Sequence, residues 1–298
     1  MKQPGDLFGP MRPSFLVLPP VCVALGAGTA AWTMGSLNWF YVVLAFVGAL
    51  AAHVSVNALN EYSDFRSGLD LRTTPTPFSG GSGTLAARPA AVNVALATGL
   101  VSMATAAAVG LYFLTVWGLG LLPLGLLGLF VIAIYTTTLT HHPFLCLIAP
   151  GLGFGTFMVM GTDFVLTGHY SWPAFFASLV PFFLVSNLLL INQFPDVEPD
   201  RSVGRRHYPI LIGRQRSSLV YAAFLLGAYL SIVAGWALGY LPAAALLGLL
   251  TLPLAFVTAR GAYRHADQID RLVPYLARNV LIDILTPALM AVGLFLAA

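Results

Sequence analysis

Two segments of this 298-residue chain concentrate the side chains best suited to chemistry. The first holds Asn57, Asn60, Glu61, Asp64, Arg66, Gly68 and Asp70, and the second holds Asn192, Asp196, Glu198, Asp200 and Arg201. Asn57, Asn60 and Asp64 are three and four residues apart, so they share one face of a helix. Gly68 permits a turn that returns Asp70 towards the same pocket. Asn192, Asp196 and Asp200 recur every fourth residue, but Pro195 and Pro199 disturb a regular helix, so the segment is expected to kink or end with its carboxylates turned inward. Of the eleven Asp and Glu residues in the chain, six lie in these two segments. Glu61 and Glu198 fit solvated residues paired with arginines. For the aspartates that reading is weaker, because each segment repeats Asn-x-x-x-Asp. Two like charges 4 Å apart repel by about 4 kcal/mol at an effective dielectric of 20, so such a cluster calls for a cation. Oxygen ligands without Cys or His favour Mg²⁺, which takes one or two carboxylates and completes its shell with water and phosphate. With Arg66, Arg72, Arg201, Arg205 and Arg206 nearby, the pattern fits a clamp on a diphosphate.

The elements that position these residues are membrane spans. The chain is 58% hydrophobic and 8% charged, against about a quarter charged in a soluble domain. Hydropathy predicts about nine spans, at 15–34, 39–60, 91–113, 117–138, 143–166, 172–192, 217–239, 241–259 and 279–297. The fold class is therefore all-α, a polytopic membrane bundle, and a diphosphate substrate inside it implies a lipid tail. The formal charge of +3 is topological, not a nucleic-acid signal. Lys2 and Arg12, then Arg66, Arg72 and Arg88, then Arg201, Arg205, Arg206, Arg214 and Arg216, then Arg260, Arg264, Arg271 and Arg278 all fall on one side. The positive-inside rule makes that side, with the N-terminus and the acidic segments, cytoplasmic and the C-terminus opposite. The first span is expected to be retained rather than cleaved. Cys22 and Cys146 lie in spans and read as small buried hydrophobes. The acidic segments end the second and sixth spans, which suggests one domain over 1–298 with a parallel repeat of helices 1–4 and 5–8 plus a ninth helix.

Asn60-x-x-x-Asp64-Phe65-x-x-Gly68-x-Asp70 and Asp196-x-x-x-Asp200-Arg201-x-x-Gly204 resemble the two aspartate-rich motifs of the UbiA superfamily of intramembrane prenyltransferases. The details are closest to its menaquinone-pathway branch, which prenylates 1,4-dihydroxy-2-naphthoate. Arg12-Pro13, the run from Thr76 and Pro77 to Gly83, and the stretch 151–168 fit as well. The resemblance implies nine helices around a central cavity with a cytoplasmic cap and a lateral opening. It implies a polyprenyl diphosphate donor, an aromatic acceptor, a membrane lipid setting and a prokaryotic cell membrane. It makes Asp64, Asp70, Asp196 and Asp200 the catalytic, Mg²⁺-binding residues, with Asn60 and Asn192 orienting them. Arg72 and Arg201 would neutralise the leaving diphosphate, and Arg12 and Tyr135 would contact substrate. The family has a basic residue shortly after that tyrosine. Here Thr136 to Thr140 precede His141 and His142, which either stand in for it or are ordinary loop histidines.

Other acceptors remain open, as does terpene cyclisation in the same scaffold. A cation or proton transporter is the competitor of a different class, and it predicts carboxylates at the bilayer midplane rather than at helix ends. Asp163 and Asp283 are expected to be hydrogen-bonded or solvated helix ends. Asp267, Asp270, Arg264 and Arg271 are expected in an amphipathic loop helix. Trp32, Trp39, Trp117, Trp172 and Tyr240 fit an outer aromatic belt, and Gly80 to Gly83 shape the long cap loop.

Overall fold

The computed structural model of the chain describes residues 8–73, 76 and 78–298, so Lys2 and Pro77 lie outside the described residues. Among those described, the protein is all-helical with no strand. Eight helical stretches are long and apolar enough to cross a bilayer. One of them, Pro89–Ile134, has 46 residues, about twice what one crossing needs. It breaks at Gly118, where φ is 71° and ψ is −163°, and its two parts pack on each other. The described residues therefore form nine spans. They are α1 (Leu18–Met34), α2 (Trp39–Ser67), α3 (Val92–Trp117), α4 (Leu122–Ile134), α5 (Pro143–Thr167), α6 (Trp172–Asn192), α7 (Arg214–Ala237), α8 (Ala243–Arg264) and α9 (Ile269–Ala297). Leu126, Leu127 and Phe130 of α4 and Leu226 and Leu230 of α7 are exposed. Water would not tolerate such a surface and lipid does. This is an integral membrane protein.

Lipid tails are as apolar as leucine, so helices in a bilayer associate through close packing more than through the hydrophobic effect. A Cβ on Gly151 would stand 2.1 Å from the Phe182 carbonyl oxygen, and one on Gly155 would stand 2.4 Å from that of Ser178. Backbone contact at this range fixes α5 on α6. The middle of α5, Leu152–Met160, winds as a π-helix just after Pro150. The main apolar core joins α1 and α5 to α9. By contrast α2, α3 and α4 form a thinner wall, and a cavity lies between that wall and α5 and α6.

Several helices run past their hydropathy bounds, the second as far as Ser67. The eighth runs on to Arg264 and the ninth begins at Ile269, so Asp270 and Arg271 open α9 and no separate loop helix forms there. Hydropathy registers only the part of a helix inside the hydrocarbon, whereas its backbone bonds continue into water. Asp283 accordingly lies well within α9, buried, and accepts from Asn279 at 3.0 Å. Asp163 is buried too, and accepts from Thr29 at 2.7 Å and from Ser171 at 2.8 Å. Cys22 and Cys146 are free and buried.

Candidate active site

The first acidic segment stays helical to its end. Helix α2 runs unbroken to Ser67 and is closed by Gly68 at φ 76°, a conformation that disfavours side chains. The Leu69 N–H then donates to the Asp64 carbonyl at 3.0 Å, and the turn brings Asp70 beside Asp64. Arg12 reaches this face from the segment before α1, donating to Glu61 at 2.9 Å and to Asn60 at 3.3 Å. Its own backbone is left-handed, with φ 51°, which costs energy for a residue with a side chain. The ion pair to Glu61, and a hydrogen bond from Asn57 to the Met11 carbonyl at 3.1 Å, hold it there.

The second segment breaks. Helix α6 ends at Asn192, and a short helix, Val197–Ser202, begins after Asp196. Pro199 falls in its first turn, where a backbone N–H has no partner within the helix, so the missing donor costs nothing. Gly204, at φ 82°, turns the chain again, and the Arg205 N–H donates to the Asp200 carbonyl at 3.1 Å. That turn aims the Arg205 guanidinium between the two segments. It donates to Asp200 at 3.0 Å and, on its other arm, to Asp64. His207 Nε2 lies 2.9 Å from the second Asp200 oxygen.

Arg12, Asn60, Asp64, Asp70, Tyr135, Asn192, Asp196 and Asp200 all line one cavity of about 540 Å³. Arg205 and His207 line it too. Below this polar end the walls turn apolar, with Ala49 and Ala52 of α2, Gly110 of α3, Gly128 of α4, Phe154 of α5 and Leu188 of α6. Arg72 and Arg201 are not part of the lining. Arg72 donates to Ser202 at 3.2 Å, and Arg201 pairs with Glu198 at 3.3 Å in the open. His141 and His142 also lie outside it.

The match to the UbiA prenyltransferase family extends over residues 17–281, from before α1 into α9, and takes in both acidic segments. The chain belongs to the UbiA prenyltransferase family, and it is an intramembrane prenyltransferase. A 1,4-dihydroxy-2-naphthoate octaprenyltransferase of Escherichia coli (strain K12) is 27% identical to it over 96% of this chain and 94% of that protein. One of Bacillus subtilis (strain 168) is 27% identical over 74% and 70%. Among solved structures, a UbiA homolog from Aeropyrum pernix K1 superposes with a TM-score of 0.69 at 19% identity, over 95% of this chain and 98% of that one. A UbiA homolog from Archaeoglobus fulgidus, bound to GPP and Mg²⁺, gives a TM-score of 0.62 at 13% identity over 96% and 99%.

The cap of this UbiA protein is tied down by Glu61, for which the sequence pattern suggested a solvated residue paired with arginine; the arginine partner is present, but the carboxylate is not solvated. Glu61 is fully buried. Besides Arg12, it accepts from the Ser82 N–H at 2.6 Å and the Ser82 hydroxyl at 2.8 Å. Gly81, at φ 77°, lies so close that a Cβ would meet Asp70 at 3.1 Å and Glu61 at 3.3 Å. On the other side Ser79 and Gly80 lie beside Asp196 and favour its charged form. The glycine run thus spans both acidic segments. A signal for Glu61 was present, since it stands four residues after Asn57 and three before Asp64, on the same helical face. Nothing in the sequence singled out Arg205 from its four neighbouring arginines, or His207, because a turn sets their direction.

Burial pushes the Asp70 carboxyl up to about 7, with the nearby Glu61 and Asp64 adding to it. Burial likewise raises Asp196 to about 7, and Asp200 adds to it. Burial works against charge on Arg205, but Asp64 and Asp200 outweigh that and hold it charged beyond its ordinary range. The donor set suits a hard cation. The four carboxylates are oxygen donors, with His207 held against Asp200, and the Asn192 Oδ1 is buried with no partner. Among the described residues no three of His, Cys, Asp and Glu stand close enough to hold a metal by themselves. A site completed by substrate phosphates needs only one or two carboxylates for each Mg²⁺.

Proposed function

We propose that this protein transfers an isoprenoid chain from a polyprenyl diphosphate to an aromatic acceptor, 1,4-dihydroxy-2-naphthoate being favoured, as a step in quinone formation of the menaquinone type. One observation carries the reading. Two aspartate motifs more than a hundred residues apart meet at the mouth of a cavity that continues into the apolar interior. The curated relatives named for this reaction support the acceptor, and the neighbour bound to GPP and Mg²⁺ supports the donor and the metal.

Asp64, Asp70, Asp196 and Asp200 would hold Mg²⁺, with the Asn192 carbonyl oxygen as a further donor. The metal supplies Lewis-acid stabilisation of the departing diphosphate. Arg205 and Arg12 bring guanidinium groups to the same end of the cavity, aimed where negative charge develops as the allylic C–O bond breaks. Arg72 and Arg201 stand outside the lining, at positions suited to meeting the diphosphate as it enters or leaves. The apolar walls keep water from the allyl cation, and the Phe154 ring face adds cation–π stabilisation. The acceptor ring attacks that cation to form the new carbon–carbon bond, and loss of a proton from the attacked ring carbon to a base restores aromaticity and completes the transfer. The cap, with the N-terminus, faces the cytoplasm and the C-terminus the other side. The spacing of the two acidic segments supports one domain of two parallel halves, α1–α4 and α5–α8, with α9 closing the bundle.

The test is to incubate the purified protein with Mg²⁺, isoprenoid diphosphates of graded length and a panel of aromatic acids, then identify products by mass. A prenylated naphthoate is the expected product. A cyclised hydrocarbon formed without acceptor, or prenylation of other acids only, rejects the assignment.

A further inference from the structure

Helix α2 carries one more polar residue towards the cavity. His53 is four residues before Asn57, seven before Asn60 and eleven before Asp64. These spacings put all four on one helical face, with His53 three turns, or about 16 Å, deeper than Asp64. The imidazole helps line the cavity, is 5% exposed, and has no hydrogen-bond partner on either ring nitrogen. The Phe154 ring meets it edge-on with centroids 5.0 Å apart. Phe154 belongs to the π-helical stretch of α5, a winding that occurs frequently at functional sites.

A histidine buried without partners is costly, and an all-hydrocarbon tail passing beside it would leave it so. Resting on the prenyl-transfer reading above, we propose that His53 is an acceptor-recognition residue. Its imidazole takes a hydrogen bond with a hydroxyl or oxo substituent of the aromatic ring, and it thereby sets where that ring lies below the diphosphate. Both nitrogens are shielded in the unliganded chain, so the ring turns about its side-chain torsion to engage. A neutral imidazole offers one donor and one acceptor, which suits a phenol better than a carboxylate. The diphosphate is held three turns away by Asp64 and Arg205 and does not depend on this residue.

The experiment compares the wild type with His53→Leu and His53→Gln, the second of which keeps a donor and an acceptor. Steady-state KM is measured separately for the acceptor and for the prenyl diphosphate. Binding of the prenyl diphosphate with Mg²⁺ is followed by calorimetry without acceptor. The expected result is an acceptor KM raised about tenfold or more in His53→Leu and largely restored in His53→Gln. The KM and calorimetric Kd of the prenyl diphosphate stay within twofold of wild type, which also shows that the variant is folded. An unchanged acceptor KM overturns the proposal and leaves prenyl transfer standing. A shift in prenyl diphosphate affinity or chain-length preference instead overturns it in favour of a tail contact. A wild type that prenylates no aromatic acceptor overturns both.

Discussion

The two acidic segments reach the same cavity by opposite means. In the first, one continuous helix delivers Asn60 and Asp64, and a glycine turn at Gly68 adds Asp70. In the second, the helix stops at Asn192, and Asp196 and Asp200 come from a turn and a six-residue helix. Each segment places a glycine four residues after its last helical aspartate, Gly68 after Asp64 and Gly204 after Asp200, both at positive φ. The side chain delivered just past that glycine differs in charge. The first turn presents Asp70 and the second presents Arg205. The second half thus supplies the counter-charge for the first, and Arg205 bridges Asp64 and Asp200. A site of four carboxylates would otherwise repel itself.

The largest expected effect comes from removing one carboxylate on each side of that bridge. Asp64→Asn and Asp200→Asn should each lower kcat by about a hundredfold or more. Product formation with saturating Mg²⁺ is the measurement. If only one variant loses activity, the two segments do not act on one diphosphate. Arg205→Gln sharpens the comparison further. Its kcat should fall by about ten- to a hundredfold, while Mn²⁺ binding to the substrate-free protein, read by electron paramagnetic resonance, should tighten. The guanidinium then no longer competes for the carboxylates. Weaker Mn²⁺ binding would show that Arg205 orients the aspartates instead of standing in for a cation.

A smaller effect is expected where the cap is anchored. Glu61→Gln leaves Arg12 without its buried carboxylate and weakens the hold on Ser82, at a cost of about 1–3 kcal/mol. Thermal unfolding in detergent should show a drop of several degrees, and unaltered stability would mean that the cap is held elsewhere. The pH dependence runs the other way from that of an ordinary ion-paired carboxylate. Asp70 and Asp196 have folded values near 7, against an ordinary 3.8. The folded chain therefore holds their protons more tightly than the unfolded chain does. Their contribution to stability is full below the ordinary value and is lost as pH rises through about 7. Metal-free protein should lose thermal stability between pH 5 and 8, and a rise over that window would contradict the burial of the two acids.

How much of this is legible in the sequence divides along the same line. Nine spans, the face shared by Asn57, Asn60 and Asp64, and the return of Asp70 past Gly68 are consequences of helical period and glycine conformation, and sequence carries both. The second segment is legible only as a helix in trouble, because Pro195 and Pro199 say where a helix is disturbed but not where the chain goes next. Arg205 and His207 are aimed by that unseen turn. Glu61 and His53 are a different case. Both fall on the readable face of α2, but a carboxylate at a helix end reads as solvated, and a single histidine in an apolar span carries no pattern of its own. Their significance comes from Ser82 and Arg12 in one case and from the missing partners in the other, and only tertiary structure reveals either.

The smallest expected effect concerns the arginines outside the cavity lining. Arg201 pairs with Glu198 at 3.3 Å, and both side chains are more than half exposed. An exposed pair of this kind contributes about 0–1 kcal/mol, so Glu198→Ala should leave unfolding and turnover close to wild type. Arg201→Ala is the informative partner. If the guanidinium of Arg205 serves the diphosphate in its bound position, removing Arg201 should change kcat by less than about threefold, and any effect should appear in the salt dependence of kcat/KM, as for a charge that only steers substrate. A loss in Arg201→Ala matching that of Arg205→Gln would mean that the diphosphate reacts closer to the rim, and that the short helix Val197–Ser202 turns towards it when substrate is bound.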